Sequence, residues 1–358
     1  MNDIKNFVRL SKYTGQRFDI VQAGGGNTSV KPGDGTMLIK ASGTSLTEVS
    51  LKKGYAVLSI QEIQSILEKS HILLADDQKK RESWVSEKLS AVIDHKSLRP
   101  SIELFMHVLL QKYVLHVHPI AVGMIVCKKN WDKILKALFP DALCIEYKTP
   151  GIDLALALQE KIGNLQKNGY EIPETIFLQN HGIIIHAEDV ENIFFILENA
   201  LLKIEHFLEI NFDTYKISTK IMNLIDFHGI QHDVIAYISQ DQWLRQEIII
   251  CRKLFFSFSC FPDAVVYCGV CPVGMKTIKD MGPILNYIQR YNVLPRVIIY
   301  ENEIVFLAQS VRKALECESI FKAHLMIIKN LGNMENVLSQ QELLYLMNME
   351  AERYRQTC

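Results

Sequence analysis

His116 and His118 stand two residues apart at the end of the β-branched run Val114-Leu115-His116-Val117. Two residues is the repeat at which a β-strand returns to the same face, so the pair offers two imidazoles to one ion. Eleven histidines in 358 residues place such a pair by chance often enough that spacing alone leaves a structural role open. A third histidine, His181, closes a separate apolar strand and precedes Gly182, a residue type that permits a sharp turn and can aim the side chain into a cleft. Three neutral imidazoles would leave zinc one open coordination position, as in catalytic rather than structural sites. His71, His95, His186, His206, His228, His232 and His324 have no partner at ligand spacing and read as surface or core residues.

Glu103 follows Pro100 and Ser101 at the start of a helical pattern, one element before the histidine pair. A carboxylate there complements a helix dipole. Beside an open zinc site it could also abstract a proton next to a carbonyl and return it. His107, four residues on, shares the helix face and reads as packing or as support for the site. Two glycine turns, Ala23 to Ser29 and Ala41-Ser42-Gly43-Thr44, could present N–H groups and short hydroxyls to a phosphate, or could be plain hairpin turns. Neither is a P-loop or a dinucleotide fingerprint. Ser101 at the helix N-terminus would add a favourable end for the same anion. Cys268 and Cys271 form a C-x-x-C without a second pair and read as buried thiols.

These residues need elements to carry them. The pattern predicts a helix over Asn2 to Thr14, then short strands at Asp19 to Gln22, Asn27 to Lys31 and Met37 to Ala41. Helices follow at Ile60 to Leu74 and Ser83 to Ile93, separated by the charged bend DDQKKRE, and at Ser101 to Tyr113, Asn130 to Leu138 and Asp153 to Lys167. The strands Val114 to Val117, Thr175 to Leu178 and Ile183 to Ile185 precede a long helix, Val190 to Ile210. Periodicity then weakens, which places a linker over 213–240 between a domain at 1–212 and a smaller α/β unit at 241–358. That unit is expected to hold a buried strand Ala264 to Tyr267, a helix Thr277 to Tyr291, a hairpin around Glu301-Asn302 and two terminal helices. The last of these opens on a Ser339/Glu342 capping box and runs to about Arg355.

Composition narrows the function classes. With 39 basic and 40 acidic residues the net charge is −1, so no whole-chain attraction to nucleic acid or an anionic membrane is available. Charges or histidines interrupt every apolar run well short of the ~20 residues that span a bilayer, and the opening residues lack a signal-peptide apolar core, so a cytoplasmic location is expected. The eight cysteines lie mostly in apolar stretches and read as reduced thiols.

Taken in order, the motifs resemble the zinc-dependent class II aldolase and adducin head family, over roughly Asn2 to Ile210. Gly25 to Ser29 and Lys40 to Thr44 resemble its phosphate-binding loops; Ser101-Ile102-Glu103 with Met106-His107 resembles its Ser-x-Glu helix. His116-x-His118-Pro119 and Asn180-His181-Gly182 resemble its zinc-ligand segments, with Tyr147 and Pro150-Gly151 between. The resemblance implies a mixed, largely antiparallel sheet flanked by helices, zinc on His116, His118 and His181, and Glu103 as acid/base. It places Asn27, Ser42, Gly43 and Ser101 on a substrate phosphate, and implies a homo-oligomer, commonly a tetramer. Smaller members carry two serines before the glutamate, whereas here the second is Ile102. Arg99 to Glu103 instead resembles a longer subfamily that includes the aldolase half of bifunctional rhamnulose-phosphate enzymes.

The implied activity is reversible cleavage of a ketose 1-phosphate to dihydroxyacetone phosphate and an aldehyde. Sugar-phosphate 4-epimerases, a dehydratase and non-catalytic adducin-like interaction modules of the same family are the alternatives. The sugar is not readable, because it depends on the aldehyde pocket.

Overall fold

The computed structural model describes residues 2–73, 78–93, 98–230, 233–331 and 338–349. The chain divides into two compact units, Met1–Phe212 and Asp213–Cys358.

The first unit is built on a seven-stranded sheet of β1 (Asn27–Val30), β2 (Thr36–Lys40), β3 (Tyr55–Ser59), β4 (Tyr113–Val117), β5 (Leu143–Ile145), β6 (Thr175–Leu178) and β7 (Gly182–Ala187). Its order is β3-β2-β1-β4-β7-β6-β5, and every pair is antiparallel except β5 with β6. The histidine-bearing strand β4 is therefore central. All five of its residues are buried, which is why it reads as an apolar run rather than an alternating one. At the edge, β3 alternates, with Ala56 and Leu58 buried and Val57 exposed.

Helices cover both faces of the sheet. Tyr113, Leu115 and Val117 of β4 pack with the helices Asn2–Gly15, Ile120–Val126, Trp131–Leu138 and Val190–Leu208. Val114 packs on the other face with helices Ile60–Leu73, Gln78–Val92, Leu104–Val108 and Ile152–Lys167.

In the second unit, β8 (Ile235–Ile238), β9 (Val273–Met275), β10 (Val297–Tyr300) and β11 (Glu303–Ala308) form a separate sheet in the order β8-β11-β10-β9. The expected hairpin is present as β10 and β11, with Glu301 at φ 52° in its turn. The sheet packs on one face against helices that include Asp213–Phe227 and Gly282–Tyr291, and on the other against Val311–Leu331. The Ser339/Glu342 capping box opens helix Gln340–Asn348. It stops at Asn348, where Met349 turns extended at φ −65° and ψ 123°, short of the expected run to Arg355; residues from 350 on lie outside the described ones.

Several local expectations are corrected. Asp19 to Gln22 is a turn, in which the Ile20 and Val21 N–H groups both donate to the Arg17 carbonyl. Ala264 to Tyr267 belongs to helix Pro262–Cys268; an apolar run this short fits either state, and proline at its first turn favours the helix. The stretch read as a linker holds helix Asp213–Phe227 and strand β8. The charged bend is already helical from Gln78, and its remainder lies among undescribed residues, as do His95 and His232. The helix expected from Ser101 to Tyr113 shrinks to the five residues Leu104–Val108, too short to supply the anion-favouring N-terminus assigned to Ser101.

Candidate metal and acid/base centre

His116 is fully buried on β4, where its Cα partners are Asn27 on β1 and Ile184 on β7. Its Nδ1 faces the Ile183 carbonyl at 3.1 Å. A carbonyl only accepts, so Nδ1 carries a proton, and in the neutral ring Nε2 presents its lone pair. That Nε2 lies 3.0 Å from Nε2 of His118 and 3.2 Å from Nε2 of His181.

Glu103 adds a fourth acceptor. It sits at the N-cap of helix Leu104–Val108 rather than inside its first turn, and is 8% exposed. Its Oε1 is 3.1 Å from His181 Nε2 and 3.4 Å from His116 Nε2. Burial pushes the Glu103 carboxyl up, and the facing His116 and His181 more than reverse this, holding it well below the usual carboxylate range. Burial together with the two neighbouring imidazoles pushes His118 down to about 3.

The donor set fits a divalent ion. Two nitrogens each ~2.1 Å from one ion at a tetrahedral angle lie ~3.4 Å apart, close to the separations here. The same distances also suit an N–H of one ring shared with the lone pair of the next, which a bound ion would displace. Among the described residues, His116, His118 and His181 form the one cluster of this kind.

Main-chain geometry explains how His181 arrives. Asn180 takes the left-handed turn, at φ 54°, and not Gly182. Gly182 is needed for close approach instead: a Cβ there would stand 2.4 Å from the Val117 carbonyl oxygen and 2.8 Å from His118 Cδ2. Gly26 packs likewise, its would-be Cβ 3.0 Å from the His116 carbonyl oxygen. The first glycine turn is thus pressed against β4.

The anion-side residues fall around this centre. Asn27 is buried and donates from Nδ2 to Glu103 Oε2 at 2.5 Å and to Ser101 Oγ at 3.3 Å. Ser101 Oγ also accepts the Glu103 N–H at 3.3 Å. Ser42 and Gly43 are exposed; the Ser42 N–H is taken by the Arg99 carbonyl at 2.8 Å. Ile102 is 52% exposed and lines a cavity of about 670 Å³ with Arg99, Val85, Leu89 and Phe105. His107 is fully buried and bonds Ser29 Oγ through Nδ1 at 2.8 Å, a packing position.

Lys40, which the sequence marks only as part of the Lys40 to Thr44 motif, joins the two glycine turns. It is 3% exposed, and its Nζ donates to the carbonyls of Thr44 (2.6 Å), Gly24 (3.2 Å) and Ala41 (3.4 Å). Its own carbonyl accepts the Ser101 N–H at 3.3 Å. One side chain therefore ties both glycine turns together, and its main chain holds Ser101. The signal available in sequence was a lysine ending an apolar strand between two such turns. Cys268 and Cys271 carry free thiols that burial pushes up in pKa.

Residues 6–201 match the class II aldolase and adducin N-terminal domain family, and the chain belongs to that family. It is 27% identical over 198 residues to the uncharacterized oxidoreductase YuxG of Bacillus subtilis (strain 168), a match covering 52% of this chain and 27% of that protein. The chain thus spans about a quarter of the length of this curated relative. Among solved structures, it is similar to the N-terminal class II aldolase domain of a conserved protein from Thermoplasma acidophilum. That match has 21% identity and a TM-score of 0.48, and covers 57% of this chain and 93% of that one. A sugar-phosphate aldolase from Thermotoga maritima matches at 15% identity and a TM-score of 0.39, over 58% of this chain and 94% of that one. No described helix is long and apolar enough to cross a membrane.

Proposed function

We propose that the chain is a zinc-dependent aldolase that reversibly cleaves a ketose 1-phosphate to dihydroxyacetone phosphate and an aldehyde. The observation that carries this reading is the placement of Glu103 Oε1 within 3.1–3.4 Å of two of the three converging imidazoles, in a chain of this family. The family also holds non-catalytic members, and a purely structural role makes no demand on this arrangement.

His116, His118 and His181 would hold the ion. When bound, zinc supplies positive charge to the ketone and adjacent hydroxyl oxygens of the substrate and so stabilises the charge that develops there. Glu103 moves the proton: its ionised carboxylate takes it at the substrate hydroxyl or at the carbon next to the carbonyl, according to direction, and returns it. Ser101, Ser42 and Gly43 line the side on which the phosphate would sit. The partner is a small sugar phosphate, and the active form a homo-oligomer.

The test is to purify the protein without chelator, measure its metal, and assay triose release from a panel of ketose 1-phosphates. About one zinc per chain with release of dihydroxyacetone phosphate supports the reading. Zinc with epimerised or dehydrated sugar and no aldehyde would replace it with one of the related reactions, and absence of metal would point to an adducin-like module.

A further inference from the structure

We propose that the cavity of about 670 Å³ between helix Gln78–Val92 and the segment Arg99 to Ile102 is a second binding site, which takes a small amphipathic carboxylate. None of His116, His118, His181 and Glu103 lines it. The site is therefore separate from the metal and acid/base centre, and the inference stands whatever reaction that centre performs.

The segment from Arg99 to Glu103 serves both places. Ser101 and Glu103 bond Asn27 beside the histidines, whereas Arg99 and Ile102 line the cavity. The walls are mostly apolar. Val85 and Leu89 come from helix Gln78–Val92, Phe105 from helix Leu104–Val108 and Ile152 from the start of helix Ile152–Lys167. Ile102, half exposed, offers a large apolar side chain that an occupant would cover. Two bonds tie helix Gln78–Val92 to the chain at the start of helix Ile152–Lys167. Arg81 Nε donates to Asp153 Oδ1 at 2.8 Å, and Gln78 Nε2 to Thr149 Oγ1 at 3.0 Å. The walls are thus fixed by bonds of the chain itself, and the cavity is preformed in the size range of small-molecule sites.

The polar groups set the sign of the ligand. Arg99 is exposed, and its guanidinium has neither a hydrogen bond nor an ion pair among the described residues. Glu82, the one carboxylate among the described lining residues, accepts from Gln78 Nε2 at 3.1 Å. Helix Ile152–Lys167 starts at the wall with Gly151 as its N-cap and no side-chain cap, and the N–H groups of Ile152 and Asp153 have no acceptor among the described residues. That helix end adds partial positive charge to the charge of Arg99. A guanidinium holds a carboxylate through two parallel N–H bonds. One cation neutralises one negative charge, so a monoanion suits apolar walls on which a phosphate dianion would keep an unpaired charge.

The test is calorimetric titration of the full chain with butyrate, hexanoate and octanoate, and with octanol, before and after removal of metal by chelator. Octanoate is expected to bind once per chain in both preparations, and affinity to rise by about 4-fold for each added CH₂. Arg99→Met should weaken octanoate by ~10-fold or more and leave octanol unchanged. Ser86→Trp should fill the space and abolish binding of both; Ser90→Trp, one turn further along the same wall, serves if the first variant fails to fold. Absence of saturable octanoate binding would overturn the proposal, as would equal octanoate affinity in Arg99→Met and wild type or undiminished binding in the folded tryptophan variant. Binding lost together with the metal would overturn it as well, by placing the carboxylate at the histidines.

Discussion

The Nε2 atoms of His116 and His118 stand 3.0 Å apart, and the Ile183 carbonyl accepts from the other nitrogen of His116, so the lone pair of Nε2 points at its neighbour. Such a pair fits the shared cation that the proposed function requires. His116→Ala is expected to lose bound metal, and chelation of the wild type to lower its melting temperature. At a free zinc concentration 100 times the dissociation constant, the stabilisation is about 2.7 kcal/mol. Metal analysis and melting curves with and without chelator check this; stoichiometric zinc in His116→Ala would show a different ligand set.

Glu103→Gln keeps the shape and removes the base. It should retain zinc while turnover falls by ~100-fold or more, the usual worth of a positioned acid/base. Full activity in a metal-replete variant would remove Glu103 from its role.

Lys40→Met keeps most of the stem and leaves the Thr44, Gly24 and Ala41 carbonyls without the ammonium that joins them. The loss is expected to be about 2–4 kcal/mol, given that charge-assisted bonds are made and buried acceptors would be stranded. Urea unfolding measures it, and a midpoint equal to that of the wild type would show that the two turns hold themselves.

A Cβ on Gly182 would meet the backbone oxygen of Val117 at 2.4 Å, where no flexible side chain can yield. Gly182→Ala is therefore expected to separate β4 from β7 locally, costing several kcal/mol and weakening zinc affinity together. Unchanged affinity in a destabilised variant would confine the effect to packing.

Acid should destabilise both units through buried histidines. Burial pushes His186 and His324 down to about 4, against an ordinary unfolded value of about 6.5. Above pH 6.5 neither state is protonated and no dependence arises. Between pH 6.5 and 4 the unfolded chain takes up protons that the folded chain refuses, so stability falls with pH, by up to roughly 3 kcal/mol per residue. Unfolding at pH 7, 5.5 and 4.5 should show a shallower slope in His186→Asn and in His324→Asn, and identical slopes would rule these residues out.

Much of the centre was legible because its signals are local. A two-residue histidine spacing on a buried strand, a third histidine before a glycine and a glutamate ahead of a short helix name the residues without the fold. The sheet that joins them was less legible. Nothing near Asn27 says that its strand partner is His116, 89 positions further on by sequence number. The hydrogen bond from the Asn27 carboxamide to Glu103 was invisible for the same reason, because both partners are set by a long-range ladder. Ala264 to Tyr267 shows the opposite limit, an apolar run whose state its own length cannot settle, and which Pro262 and the surrounding packing made helical.

Val114 and His116 share one face of β4, while Leu115 and Val117 pack among the helices on the other. Insertion of one residue ahead of His116 would exchange the two sets, sending an imidazole into the apolar layer and a leucine to the ion. Insertion of two would restore the face but shift the imidazole by roughly 6.6 Å along the strand, out of reach of His181. Strand length here is thus intolerant of change in either parity. The turn between β1 and β2 only has to reverse the chain, a Cβ on its Gly33 or Gly35 would meet nothing within 4 Å, and homologues are expected to vary in length there long before they vary within β4.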